Sequence, residues 1–269
     1  MLKTRVITAL ILAFGLLAIL FLLPVPATAT AFALIVAAAA WEWAGLLRLG
    51  AAQRGVYALL TTLPCAALYA AGMPPPLLTL LWAMAMIFWL ILIPMWLLRK
   101  WRLTANLIGY LVGWLLLIPT WAAMVQLVAR APLHMLAAMS LVWVADIAAY
   151  FSGHAWGRHH MAPGISPGKT WEGAIGATVG VMIYGTALVL AAGRLRSGAD
   201  LLWLLPALAL TTAVSIVGDL FESLAKRQAG VKDSSRLLPG HGGILDRIDS
   251  LTSALPLIAL AMQVVPGYE

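Results

Sequence analysis

The chain has 269 residues, of which 63% are hydrophobic and 10% are charged, whereas a soluble domain carries about 25% charged residues. This composition excludes an ordinary soluble domain, and the length leaves room for roughly eight to ten membrane-spanning helices. The net charge of +7 is spread over short loops instead of one basic stripe, which argues against a nucleic-acid partner. The single cysteine, Cys65, excludes an intramolecular disulfide and a cysteine metal cluster.

Apolar runs follow one another along the whole chain. They predict nine spans, near residues 6–23, 27–47, 56–72, 77–98, 104–129, 133–152, 172–192, 201–221 and 244–265. These runs lack the alternation of apolar and polar residues that a membrane β-barrel requires. The predicted fold is therefore an all-α, polytopic transmembrane helix bundle, and its 12 tryptophans suit anchoring at the membrane interfaces.

The basic residues predict the orientation of this bundle in the cell membrane, which we take to be an inner membrane. With a cytoplasmic N-terminus, fourteen Lys and Arg residues fall in inner loops, and three fall outside, namely Arg130, Arg194 and Arg196. Positive charge collects on the cytoplasmic side of membrane proteins, so this topology is preferred over its inverse.

The N-terminus has a second interpretation. Lys3, Arg5 and the apolar run after them resemble a cleavable signal peptide, with Ala27 to Ala29 as the cleavage region. The run from residue 6 to 23 is long for a signal core, which favours an uncleaved first span. Cleavage would leave all later orientations unchanged.

The acidic residues separate a scaffold from a working region. Only Glu42 lies in the first 140 residues, and the other acidic residues all follow. We therefore predict an N-terminal transmembrane scaffold at 1–130. A catalytic transmembrane region at 131–269 would carry two cytoplasmic motif loops.

Asp146 lies inside an otherwise apolar span. It precedes Ser152 by six residues, which places it roughly 9 Å from the helix end. A carboxylate at that depth is costly and usually faces a polar cavity, although it can also be a packing residue bonded to a neighbouring helix.

The first motif loop reads S-P-G-K-T-W-E-G from Ser166. Its glycine allows close backbone approach, and Lys169 with Ser166 and Thr170 is suited to holding a phosphate. The loop is not a P-loop, because the earlier glycine would fall at Pro163 and no strand is predicted before it. The adjacent His159-His160 pair is interpreted as solvated or in contact with lipid headgroups instead of as metal ligands.

The second motif loop is denser in charge. Asp219 and Glu222 are three residues apart, as are Asp246 and Asp249, so each pair shares a helix face. Like-charged pairs favour a cation, and hard oxygen ligands select Mg²⁺ or a similar ion. Five basic residues could hold phosphates beside these acids, namely Lys226, Arg227, Lys232, Arg236 and Arg247.

A simpler interpretation is that these basic residues only obey the positive-inside rule and pair with the acids. That interpretation leaves the turn from Pro239 to Gly243 unexplained. A glycine turn that presents one histidine, His241, beside two carboxylates is more typical of a functional site than of a connector.

The segment from Ser223 to Asp249 resembles the signature of phosphatidate cytidylyltransferases, also called CDP-diacylglycerol synthases. It matches S-x-x-K-R, then K-D, then L-P-G-H-G-G-x-x-D-R-x-D, in order and spacing. The stretch from Asp146 to Gly173 is similar to a second block of that family. The N-terminal half is similar only in hydropathy. Ala225 departs from the bulkier apolar residue of the family pattern, which affects local packing and not chemistry.

The resemblance implies that CTP and phosphatidic acid react to CDP-diacylglycerol and pyrophosphate at the cytoplasmic membrane face. It implies a requirement for Mg²⁺, with a second cation not excluded, and a homodimer. The implied metal ligands are Asp219, Asp246 and Asp249. The implied catalytic residues are these three with Lys226, Arg227, Lys232 and His241. The implied substrate-binding residues are Asp146, Ser166, Lys169, Thr170, Glu172 and Arg247. His241 either donates to a phosphate oxygen or fixes the turn.

Two other functions remain open from the residues. The first is a CTP-dependent lipid kinase, or a nucleotidyltransferase for another lipid phosphate such as an archaeal-type ether lipid. The spacing G-H-G-G-x-x-D-R-x-D argues against the kinase but does not define the lipid tails. A cation transporter would also carry intramembrane carboxylates, but it would place them near the midplane in paired broken helices. Acids gathered at one face among basic residues favour phosphate chemistry.

Overall fold

The computed structural model describes residues 2–195 and 197–264. Its α-helices are α1 (Leu2–Leu22), α2 (Val25–Leu46), α3 (Ala51–Ala70), α4 (Pro75–Ile87), α5 (Ile93–Arg99), α6 (Leu107–Arg130), α7 (Pro132–Trp156), α8 (Trp171–Ala191), α9 (Gly198–Ala229) and α10 (Leu245–Val264). A π-helical turn, Phe88–Leu92, joins α4 to α5. A short antiparallel hairpin, β1 (His160–Ala162) and β2 (Ser166–Thr170), precedes α8.

The helical class predicted from the sequence is confirmed. Each of the nine predicted spans coincides with one helical segment, counting α4 to α5 as one, although the last predicted residue, 265, lies outside the described residues. Within the described residues, seven of these segments are long and apolar enough to cross a membrane, and α3 and α10 are not among them. The hairpin is a small exception to an all-α fold.

The π-helical turn has a local cause in Pro94. Proline has no backbone N–H, so one helical hydrogen bond is lost at that point and the spacing of the ladder widens. The Ile93 N–H accordingly donates to the Phe88 carbonyl, five residues earlier.

Helix α9 runs eight residues past its predicted end at 221, so that boundary is wrong. Hydropathy detects only the apolar part of a helix, whereas α9 continues as a charged helix supported by an ion pair between Glu222 and Lys226, one turn apart. It ends at Gly230, which adopts a left-handed conformation with φ of 78°.

Tryptophans build the core of the bundle. Trp43, Trp82, Trp89 and Trp121 are fully buried, so the expectation of interfacial anchoring is wrong for these four. Each indole N–H donates to a backbone carbonyl of another helix, as Trp89 does to Thr252 of α10 at 3.1 Å. Burial of an indole requires such a partner, and these bonds tie the central helices together.

The two ends of the bundle have different contacts. At one end, the Thr8 hydroxyl of α1 donates to the Pro239 carbonyl at 3.0 Å, so the N-terminal helix begins beside the second motif loop. At the other end, the Arg130 guanidinium donates to the Met262 carbonyl at 2.8 Å. The N-terminus therefore shares an end with both motif loops, and Arg130 lies at the opposite end, as the charge distribution predicts. Arg196 lies outside the described residues.

Candidate active site

The β1–β2 hairpin brings Lys169 from the first motif loop to the second. Its ammonium lies 2.6 Å from Asp219 Oδ2 of α9 and donates to the Ile216 carbonyl at 3.4 Å. Lys169 and Asp219 are each about three-quarters buried, with exposed side-chain fractions of 23% and 29%. The two motif loops thus meet directly.

Two further carboxylates, from two other helices, interact electrostatically with this contact. Asp146 of α7 and Asp249 of α10 both experience the negative charge of Asp219, and both are attracted by Lys169. Arg247 adds a second positive charge beside Asp146. We call Asp146, Asp219 and Asp249 the carboxylate cluster. Like charges held this close repel one another, so the cluster favours cations.

A second group centres on Lys226 of α9. Its ammonium pairs with Glu222 and with Asp246 Oδ1, the latter at 2.6 Å. The other oxygen of Asp246 accepts from the Ser234 N–H, the Ser234 hydroxyl and the Gly243 N–H at 2.7–2.9 Å. Glu222 has no hydrogen-bond partner besides this ion pair among the described residues. Lys226 is therefore held by two buried carboxylates, of which only Asp246 has other donors.

The glycine turn of the second motif is ordered by its own backbone. The Leu238 N–H donates to the Gly242 carbonyl at 2.8 Å, and the His241 N–H donates to the Leu238 carbonyl at 2.9 Å. Gly240 and Gly242 have φ of 77° and 81°, a region that favours glycine. A side chain at Gly242 would also approach Asp246 Oδ2 to 2.6 Å. The imidazole Nδ1 of His241 is buried and has no partner among the described residues.

Some predicted site residues have other partners. The Thr170 hydroxyl accepts the Gly173 N–H at 3.1 Å and caps α8, so this group, expected to hold phosphate, serves the helix. Glu172 lies 2.6 Å from Nδ1 of His159, which was expected to be solvated or to contact headgroups. Both side chains therefore help to order the first motif loop, and their predicted role in substrate binding stays a prediction.

Other predicted residues stand at the edge of the site. Ser166 pairs with Ala162 in the hairpin and is partly buried. Arg227 and Lys232 are exposed and make no ion pair with a described residue. Their side chains are free to reach an incoming anion.

The sequence analysis missed Glu42 as a member of this region. Glu42 lies in α2, is 0% exposed, and accepts hydrogen bonds from the segment that carries the second motif. The signal was present in the sequence, because an acid in an apolar span is as costly at Glu42 as at Asp146. Ser234 and Ser235, which bind Glu42, carried no such signal.

The donors present are suited to Mg²⁺. Within the described residues no group of three His, Cys, Asp or Glu side chains forms a ready metal site. Mg²⁺ is usually held by one or two carboxylates together with substrate phosphates, so a complete protein cage is not required. Asp219 and Asp249 repel one another and offer hard oxygens. Asp219 has one partner at each oxygen, Lys169 and the Ser223 hydroxyl, and Asp249 accepts the Ser250 N–H. Asp246 has more partners, because it accepts four bonds.

An apolar groove of about 730 Å³ lies between α7 and α8. Its α7 wall includes Ala148, Phe151, Ser152 and Ala155. At about 100° per residue, these side chains point roughly 140–240° away from Asp146 around the helix axis. The groove and the carboxylate cluster are therefore on opposite sides of α7.

The chain is similar to known proteins over nearly its whole length. A model described as the cytidylyltransferase family matches residues 3–265. A protein of Pseudomonas aeruginosa named phosphatidate cytidylyltransferase is 44% identical over 291 aligned positions, which cover 96% of each chain. A protein with the same name from Haemophilus influenzae is 49% identical over 44% of this chain and 42% of its own length. Another, from Thermotoga maritima, is 40% identical over 49% of this chain and 50% of its own length.

Proposed function

Because the chain belongs to the cytidylyltransferase family, we propose that it transfers CMP from CTP to phosphatidic acid. The products are CDP-diacylglycerol and pyrophosphate. The observation that carries this proposal is the meeting of the two motif loops, in which Lys169 contacts Asp219 beside Asp146 and Asp249. Cations and carboxylates alternating at one end of a membrane bundle suit two phosphorylated substrates, one soluble and one lipid-borne.

The reaction needs positioning more than covalent help. A phosphate oxygen of phosphatidic acid forms a bond to the α-phosphorus of CTP, and the bond from that phosphorus to the bridging oxygen breaks. Pyrophosphate leaves with the bond electrons. The attacking phosphate monoester is already anionic, so no general base is required, and the protein must bring two anions together and neutralise them.

The residues divide this work by position. Lys169 and Arg247 lie beside the carboxylate cluster and would neutralise the phosphates of CTP. Arg227 and Lys232 are exposed at the same end and would contact the phosphate of the lipid. Lys226 is held by Glu222 and Asp246 and would supply a fixed positive charge to the leaving pyrophosphate.

Mg²⁺ would be held by Asp219 and Asp249 together with phosphate oxygens of CTP. When bound, it would stabilise negative charge on the triphosphate. Asp246 would reach the ion only through Oδ1, which pairs with Lys226 at 2.6 Å. Its role is therefore chiefly to orient Lys226.

The site would lie at the cytoplasmic face of a bacterial inner membrane. The N-terminal helix begins at the same end as both motif loops, and fourteen of the 17 basic residues belong to the loops assigned to that end. Positive charge marks the cytoplasmic side. Family resemblance further suggests a homodimer, which the mass of the detergent-solubilised protein would test.

Two forms of radiolabelled CTP test the activity. Purified protein is incubated with phosphatidic acid, Mg²⁺ and CTP labelled either at the α- or at the γ-phosphorus, and the lipid is extracted. Label should enter the lipid from α-labelled CTP only. Label from the γ-position would indicate a CTP-dependent lipid kinase, and no lipid label from either form would contradict the proposal. A lipid phosphate with ether-linked chains, tested beside phosphatidic acid, separates the remaining nucleotidyltransferase alternative.

A further inference from the structure

Glu42 is a buried carboxylate in the part of the chain assigned to scaffold. It lies near the C-terminal end of α2 and is 0% exposed. It forms no ion pair with a described residue. A buried carboxylate without a cation must be satisfied by several hydrogen-bond donors, so its partners show what it is for.

Among the described residues, the hydrogen bonds that Glu42 accepts all come from one distant segment, residues 234–245. Oε1 accepts from the Ser235 hydroxyl at 2.5 Å and from the Ile244 N–H at 3.0 Å. Oε2 accepts from the Leu245 N–H at 2.7 Å and lies 3.2 Å from the Ser234 hydroxyl, whose single hydrogen it shares with Asp246. The two backbone donors stand at the start of α10, where helical N–H groups lack partners within the helix.

The segment that Glu42 holds includes the glycine turn, and it is linked to the site. The Ser234 hydroxyl lies between Glu42 Oε2 and Asp246 Oδ2, 2.9 Å from the latter. Asp246 in turn pairs with Lys226. A continuous set of contacts therefore runs from Glu42 through Ser234 and Asp246 to Lys226.

We infer that Glu42 is a positioning residue for the reaction, and this inference rests on the proposed function. Its carboxylate anchors both ends of the turn, at Ser234–Ser235 and at Ile244–Leu245, so that Asp246 holds Lys226 in one place. Glu42 contacts no substrate. It acts by limiting the motion of the segment that carries the second motif, and small misplacements of reacting groups strongly reduce rates.

The test compares Glu42→Gln with Thr28→Val. Glutamine has the shape of glutamate but only one acceptor oxygen, so one backbone N–H of α10 loses its partner. Thr28 provides the matched control, because it is another buried polar residue of α2, 1% exposed, whose hydroxyl donates to the Ile19 carbonyl at 3.0 Å. Both variants lose a buried hydrogen bond, but only the first concerns the second motif.

Two quantities are measured on monodisperse protein of each variant. The first is kcat for CDP-diacylglycerol formation, which should fall at least about tenfold in Glu42→Gln and stay within about twofold in Thr28→Val. The second is the mobility of a nitroxide on a cysteine replacing the exposed Leu237, in a Cys65→Ala background. The mobility of the nitroxide should rise in Glu42→Gln and not in Thr28→Val. A general loss of stability would not produce this difference between the two variants.

The outcomes separate the two ideas. If the parent protein forms no CDP-diacylglycerol, the proposed function fails, and the nitroxide still reports whether Glu42 orders the turn. If the parent is active and Glu42→Gln keeps its kcat and its nitroxide mobility, the inference is overturned. Should Glu42→Gln not fold, Ser235→Ala removes the 2.5 Å contact to Glu42, together with the 3.0 Å bond that the Leu237 N–H donates to the same hydroxyl, so its kcat is the deciding measurement. That kcat should fall about threefold, and a parental value would equally overturn the inference.

Discussion

Replacement of Lys226 by methionine should destabilise the protein strongly. Lys226 is 12% exposed and joins Glu222 and Asp246, whose side chains are 5% and 4% exposed. Loss of one partner from a buried ion pair costs about 3–5 kcal/mol, because it leaves an uncompensated charge. Folded domains are stable by only about 5–15 kcal/mol, so the loss is a large fraction of the total.

The structure also predicts which second substitution restores stability. Asp246 keeps three donors when Lys226 is removed, whereas Glu222 keeps none among the described residues. Removal of both partners of a buried pair in favour of apolar groups is often neutral. The double variant Glu222→Leu/Lys226→Met should therefore regain more than half of the lost free energy of unfolding, although it stays inactive.

Chemical denaturation in one fixed detergent, followed by tryptophan fluorescence, measures these differences. Arg227→Met is the matched control, since Arg227 is the next residue but is exposed and makes no ion pair with a described residue. Its free energy of unfolding should change by no more than about 0.5 kcal/mol. A loss below about 1 kcal/mol for Lys226→Met, or a double variant less stable than the single one, would refute the reasoning.

Three further predictions concern the site and its orientation. Asp219→Asn and Asp249→Asn should each abolish turnover in folded protein, and raising Mg²⁺ should not restore it; full activity of either would remove that residue from the metal site. Lys169→Ala should lower kcat roughly 100-fold, more than it raises KM for CTP, because its charge stabilises the transition state; unchanged kcat in steady-state kinetics would make the loop a lid. Single cysteines replacing the exposed Pro163 and Leu237 should react with a membrane-impermeant maleimide only after the inner membrane is opened. Labelling in intact cells would show that the predicted orientation is wrong.

The helices of this protein follow from local features of the sequence, with errors that have local causes. Hydropathy located every long helix, because a span must bury an apolar surface over its whole length. It ended α9 at residue 221, eight residues early, since a helix leaving the membrane needs no apolar residues. It predicted 77–98 as one span, which the candidate span Pro75–Arg99 confirms, but it gave no sign of the π-helical turn Phe88–Leu92 inside that span.

Motif spacing predicted which residues act in the site, but it did not predict the structural contacts that some of them make. Thr170 and Glu172 belong to the first motif and were expected to bind substrate. In the folded chain, Thr170 caps α8 and Glu172 pairs with His159. A motif indicates that a residue type is required at a position, and the requirement can be structural as well as catalytic.

The sequence by itself determined the membrane-helix class, the family and the two loops that carry the charged residues, because hydropathy and motif spacing are properties of neighbouring residues. Only the tertiary structure decided which charges meet. Lys169 reaches Asp219 from a different loop, and Glu42 binds the Leu245 N–H across 203 residues of sequence. Hydrogen bonds and ion pairs act over about 3 Å, so their partners are set by how the helices pack, and no periodicity along the chain records that packing.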